Sequence, residues 1–146
     1  MESCISCEKG RYSTADGTQN ECTKCIKGKY GIIEGKSIET EACKACEEGK
    51  YSTTDGTQNE CTKCAKARYG NKLGQASLES GCESKCIKGK YGNLEGQTTE
   101  SAACNDCEKG RYSTADGTQD ACTKCIKGKY GTIEGKSIES ESCNNC

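Results

Sequence analysis

A chain of 146 residues would ordinarily form one domain around one core. This one contains no Phe, Trp, Val, Pro or His, and Leu plus Ile number only 12. A conventional hydrophobic core is therefore excluded, and the 16 cysteines must supply the cohesion. With 21 basic against 22 acidic residues the net charge is −1, so charge gives no support for nucleic acid as a partner, and no apolar run is long enough for a membrane span in this segment.

In chain order the cysteines fall in eight close pairs: Cys4/Cys7, Cys22/Cys25, Cys43/Cys46, Cys61/Cys64, Cys82/Cys86, Cys104/Cys107, Cys122/Cys125 and Cys143/Cys146. The loop between the first two pairs is short, CEKGRYSTADGTQNEC at 7–22, and the next is long, CIKGKYGIIEGKSIETEAC at 25–43. A second short loop at 46–61 is followed by two long ones in succession, 64–82 and 86–104, then a short one at 107–122 and a long one at 125–143. Each opens on one frame: Cys, two residues, Gly, a basic residue, Tyr. Ala67 replaces that Gly in the fourth loop. A second Gly follows each Tyr by five positions, preceded in the short loops by Asp16, Asp55 and Asp116. Asp-Gly after a β-prone Tyr-Ser-Thr is a hairpin-turn signal, and the long loops add three residues that extend the return strand.

The expected fold is a small disulfide-rich repeat array: an elongated, solenoid-like rod of seven short β-hairpins with little or no helix, forming one continuous array over 1–146. Residues 107–146 repeat residues 7–46 at 33 of 40 positions, a 100-residue super-repeat. Met1–Cys4 also reads like the tail of a long loop, Ser140–Cys143, so a slice of a longer repeat protein is expected.

Cysteine spacing alone admits three chemistries. C-x2-C-x14-C-x2-C is close to zinc-ribbon spacing, and 16 thiolates would suit four zinc ions. Against this multi-zinc reading, quartets would make like loops alternate between site and linker, and two consecutive long loops break any two-unit module. Thioredoxin-like redox chemistry lacks a βαβ context. The remaining reading is disulfides, without metal or other cofactor.

Equivalence of the units favours a forward ladder: Cys7–Cys22, Cys25–Cys43, Cys46–Cys61, Cys64–Cys82, Cys86–Cys104, Cys107–Cys122 and Cys125–Cys143. Its competitor joins first to first and second to second across alternate loops, as in Cys4–Cys22 with Cys7–Cys25, but treats like loops unlike. Each ladder bridge closes a loop worth about 3 kcal/mol in chain entropy. The ladder leaves Cys4 and Cys146 for inter-unit or inter-subunit bonds.

The run C-x-x-G-[RK]-Y-S-T leading to C-x-x-C, and CTKCIKGKY at 22–30 and 122–130, resemble the cysteine-rich repeats of tumour-necrosis-factor receptors and of ephrin-receptor-like extracellular proteins, including tandem arrays in protist surface proteins. The resemblance implies that the Cys before the Gly-x-aromatic motif bonds to the Cys ending its loop, in agreement with the ladder. The mid-loop cysteines of receptor repeats are absent here, and Cys82/Cys86 encloses three residues instead of two.

Seven tyrosines, Tyr12, Tyr30, Tyr51, Tyr69, Tyr91, Tyr112 and Tyr130, occur once per loop. They are expected to stack on their own cystine and on the next hairpin, in place of a core. Directly before them stand Arg11, Lys29, Lys50, Arg68, Lys90, Arg111 and Lys129, a basic row that Glu39, Glu41, Glu60, Glu79, Glu100 and Glu139 can neutralise. Enzymatic function has no support in the sequence. The expected function is a structural extracellular or cell-surface protein forming a disulfide-stapled rod or fibril. Its partners would be copies of itself or further repeats end to end, and glycans. The alternative is the stalk or ligand-binding ectodomain of a receptor-like surface protein, which would need one unit to differ from the rest.

Overall fold

Two-residue strands recur at every basic-Tyr step. The computed structural model describes residues 6–15 and 21–146. In it Arg11–Tyr12 pairs antiparallel with Thr23–Lys24, Lys29–Tyr30 with Lys44–Ala45, and Lys50–Tyr51 with Thr62–Lys63. The pattern continues with Arg68–Tyr69 on Ser84–Lys85, Lys90–Tyr91 on Asn105–Asp106, Arg111–Tyr112 on Thr123–Lys124, and Lys129–Tyr130 on Asn144–Asn145. The second strand of each hairpin therefore lies between the two cysteines of the closing pair. A turn stands at Asp55–Gly56 and Asp116–Gly117 as expected, but the strand pairing lies at the base of the loop and does not flank that turn. The disulfide fixes the base of the loop, so pairing begins beside the cystine, where closure entropy has already been met.

The long loops differ from expectation in a second respect. Their return limb carries one turn of helix rather than added strand: α1 (Glu39–Ala42), α2 (Leu78–Gly81), α3 (Glu100–Ala103) and α4 (Glu139–Ser142). One turn absorbs the three extra residues with little rise, about 1.5 Å each, and returns the chain to its cysteine. The last residue of each turn is small and buried: Ala42, Gly81, Ala103 and Ser142.

Two compact units are formed. The first comprises Met1–Lys63 with Lys72–Gly81, and the second Cys64–Asn71 with Cys82–Cys146. The fourth loop contributes its tip to the first unit and its base to the second.

What is buried in both units is sulfur and methyl. Among the described residues every buried apolar side chain is Cys or Ala, with Cys25, Cys46, Cys64, Cys82, Cys86 and Cys107 at 0% exposure. The larger aliphatics face outward, including Ile26, Leu73, Ile87, Leu94 and Ile126. In the first unit Tyr12 packs on Cys25, Ala42 and Cys43, and in the second Tyr69 packs on Ala67, Cys86, Ala103 and Cys104. Where these clusters resolve the contact, the ring covers the bridge of the following loop rather than its own.

Candidate functional site

The repeated element with chemical content is the seam where one module receives the turn of the next. Seven disulfides make the seam possible: Cys7–Cys22, Cys25–Cys43, Cys46–Cys61, Cys64–Cys82, Cys86–Cys104, Cys107–Cys122 and Cys125–Cys143. Each runs from the second cysteine of one close pair to the first of the next. Their Cα–Cα distances lie between 5.4 and 5.8 Å, the usual range for a cystine. Fourteen of the fifteen described cysteines are thereby withdrawn from metal or thiolate chemistry. Cys146 is a free, exposed thiol, and Cys4 lies outside the described residues.

Hydrogen bonds at the seam are mostly backbone to backbone. In the first unit the turn glycines Gly35, Gly56 and Gly74 donate their N–H to the carbonyls of Cys7, Cys25 and Cys46 at 2.7–2.8 Å. Gly96, Gly117 and Gly135 do the same to Cys64, Cys86 and Cys107 in the second unit, also at 2.7–2.8 Å. Beside these bonds the residue after the turn glycine lies parallel to the preceding tyrosine, as in Tyr12–Lys36, Tyr30–Thr57, Tyr51–Gln75, Tyr69–Gln97 and Tyr112–Lys136. Every described turn is thus added to the edge of the module before it, a form of strand addition whose affinity comes from the main chain.

Glycine is required at the seam for a steric reason. Gly28 has φ +82°, and a Cβ there would run into the carbonyl oxygen of Gly74, two modules on. Gly89 repeats this against Gly135 at 2.5 Å, and Gly10 stands 2.7 Å from the Thr57 carbonyl by the same measure. Ala67 holds the left-handed conformation with a real Cβ, φ 61°, fully buried. There the seam is made instead by side chains: Lys66 pairs with Asp120 at 2.7 Å, and the Gln119 amide donates to the Lys66 carbonyl. Asp120 itself takes φ 66°. Irregular position and irregular turn accommodate each other.

The basic row is largely neutralised within the array. Lys29 meets Glu39 at 2.6 Å, Lys129 meets Glu139 at 2.7 Å and Lys90 meets Glu100 at 3.0 Å; outside the row, Lys36 meets Glu41 at 3.2 Å. Lys50 lies 2.7 Å from Glu47 and 3.5 Å from Glu60. The hydrogen bond between Lys50 and Glu47 holds the carboxyl below the usual carboxylate range and the ammonium above the usual lysine range. Arg11, Arg68 and Arg111 donate to the carbonyls of Cys22, Cys82 and Cys122, and Arg111 also lies 3.6 Å from Glu108.

Two functional side chains were not identified from the sequence. Asp55 Oδ1 accepts the Lys27 N–H, and Asp116 Oδ1 accepts the Lys88 N–H, both at 2.9 Å and both in the preceding module. Asp before the turn glycine is confined to the short loops, and that restriction is the signal in the sequence for this contact. Behind these carboxylates, Ser52 and Ser113 are buried and bond to the hydroxyls of Thr57 and Thr118. Compared with models of known protein families and with curated proteins, the chain matches none.

Proposed function

We propose that the chain is a structural repeat protein of the extracellular or cell-surface space, a segment of a disulfide-stapled rod or fibril, and that it has no enzymatic role. What supports this reading is that all six described turn glycines bond to the module before them, with one bridge closing every loop. Such bridges persist in oxidising compartments, which supports a location outside the cytosol. In this reading the modules are of the tumour-necrosis-factor-receptor or ephrin-receptor-like kind. The 100-residue super-repeat belongs to a longer array, whose neighbours are further repeats, other copies and glycans.

One observation favours the ectodomain reading. In the second unit a groove of about 270 Å3 is lined by Tyr69, Asn71, Glu83, Ser84, Thr98 and Glu100. It lies where the close pair Cys82/Cys86 has its extra residue, a departure from the repeat of the kind that a specific ligand would need. Small-angle scattering of dilute, oxidised protein tests the structural reading. A rod gives a radius of gyration well above the roughly 15 Å of a compact chain of this length. A value near that figure overturns it.

A further inference from the structure

Each bond from a turn glycine to a cysteine carbonyl brings two further positions together: the residue before that glycine and the second residue after that cysteine. At five of the six seams the second residue is lysine: Lys9, Lys27, Lys66, Lys88 and Lys109. The turns received there are all acidic before their glycine: Glu34, Asp55, Glu95, Asp116 and Glu134. The seam at Cys46 departs on both sides at once. Its second residue is Glu48, and the turn it receives carries Leu73 in place of the carboxylate. The acid is missing from the one described turn that would meet another acid.

The two positions are in contact or in electrostatic reach. Asp55 and Asp116 accept the N–H groups of Lys27 and Lys88 at 2.9 Å. Lys9 and Glu34 line one groove. The Lys66 ammonium is held above the usual lysine range chiefly by Asp120 and in part by Glu95. Neither turn geometry nor packing accounts for Leu73. Gly74 has φ +66°, as Gly96 does and within a degree of Gly35, and all three donate to their cysteine carbonyls at 2.8 Å. Leu73 itself is 64% exposed, so it fills no core.

We propose that the second residue after the opening cysteine is the specificity determinant of each seam. Lysine makes a module the receptor for an acidic turn, and Glu48 makes the third module a receptor that rejects acidic turns and takes Leu73. Such a determinant has a task here, because main-chain bonds are blind to sequence and near-identical repeats are prone to misassembly. Loop length distinguishes a short turn from a long one, but 64–82 and 86–104 are both long. A chain that skipped one module would offer Glu95 to the Cys46 carbonyl, directly against Glu48. Discrimination is a difference between partners, and the repulsion supplies it.

The proposal deepens the structural reading above and rests on it, while its test is separate. Amide hydrogen exchange of the oxidised full chain reads each seam at its turn glycine, Gly74 for Cys46 and Gly117 for Cys86. In about 0.01 M salt Leu73→Glu is expected to speed exchange at Gly74 about threefold over Leu73→Gln, the worth of an exposed charge pair. Adding Glu48→Lys to Leu73→Glu is expected to bring the rate back to that of Leu73→Gln or below. Lys88→Glu is expected to speed exchange at Gly117 by a similar factor. The bond that Asp116 accepts comes from the main chain and survives that substitution, so the change reads charge alone. In about 1 M salt, where screening leaves a range of about 3 Å, these differences are expected to vanish. Leu73→Glu no faster than Leu73→Gln, no recovery with Glu48→Lys, or acceleration that survives the salt overturns the proposal. An array with charge-blind seams would still scatter as a rod, so none of these results touches the structural reading.

Discussion

Gly28 and Gly128 occupy the same place in identical hexapeptides and share nearly the same φ, +82° and +83°, yet only Gly28 is approached by a backbone carbonyl. The comparison separates conformational strain from steric exclusion. Gly128→Ala adds only the left-handed penalty and is expected to cost about 1 kcal/mol in dilute protein. Gly28→Ala adds a clash that the bridged backbone cannot relieve, and is expected to cost on the order of 2–4 kcal/mol. Hydrogen exchange at the Gly74 and Lys129 amides, which donate to the carbonyls of Cys46 and Ile126, checks it with all bridges intact. Equal losses for the two variants would mean that the close approach at Gly28 is energetically empty. Ala67 shows why the sequence could not announce this: the frame marks position 67 as a glycine site, but the turn that tolerates its Cβ lies more than 50 residues on, at Gln119 and Asp120.

At the scale of the element, the sequence disclosed the loops better than their contents. Cysteine spacing carries the loop lengths, and with them the base of each hairpin, because closure is a property of covalent connectivity. The helical turns were hidden for a physical reason: four residues are too few for a hydrophobic period, and Glu39–Ala42 has no side-chain cap to mark its start. Only their buried ends carry information, as small residues directly before a cysteine. The space there is tight. Ala103 is 1% exposed and packs with Ala67, Cys86, Cys104 and Tyr69. Ala103→Leu is therefore expected to destabilise the module by about 1–3 kcal/mol through overpacking. The readout is faster exchange of the Cys104 amide, which donates to the Glu100 carbonyl at 2.8 Å. Ser142 fills the same place in the last module and donates to the Arg111 carbonyl at 2.8 Å, so the site accepts a small polar group where a carbonyl faces it.

For the molecule as a whole, cohesion comes from bridges and main-chain hydrogen bonds, with exposed aliphatics contributing little. Burial of one or two alanine methyls per cluster cannot offset about 1–2 kcal/mol of backbone entropy per residue, whereas each bridge removes about 3 kcal/mol of that entropy from the unfolded chain. Reductant is accordingly expected to abolish protease resistance and the tyrosine circular-dichroism signal, and a chelator without reductant to leave both unchanged. Loss of structure with chelator alone would return the cysteines to zinc. Composition made this source of stability legible at once, since a chain without Phe, Val or Trp but with 16 Cys has no other. The seam itself was not legible, because its donors and acceptors are peptide groups, identical in every residue.

Closing each loop also changes how the chain would bear tension. A pull between Cys7 and Cys143 passes through each sulfur bridge and the short links between close pairs, bypassing every loop. Taut, that path is about 100 Å long, against roughly 450 Å for the same stretch with its bridges opened. The loops are mechanically slack: their hydrogen bonds can melt without lengthening the molecule beyond the taut path. Stretch beyond it is governed by thiol chemistry, and each bridge reduced under load would release about 45–55 Å of stored chain. A surface built this way would remain inextensible in an oxidising medium and would yield in discrete steps on meeting a reductant.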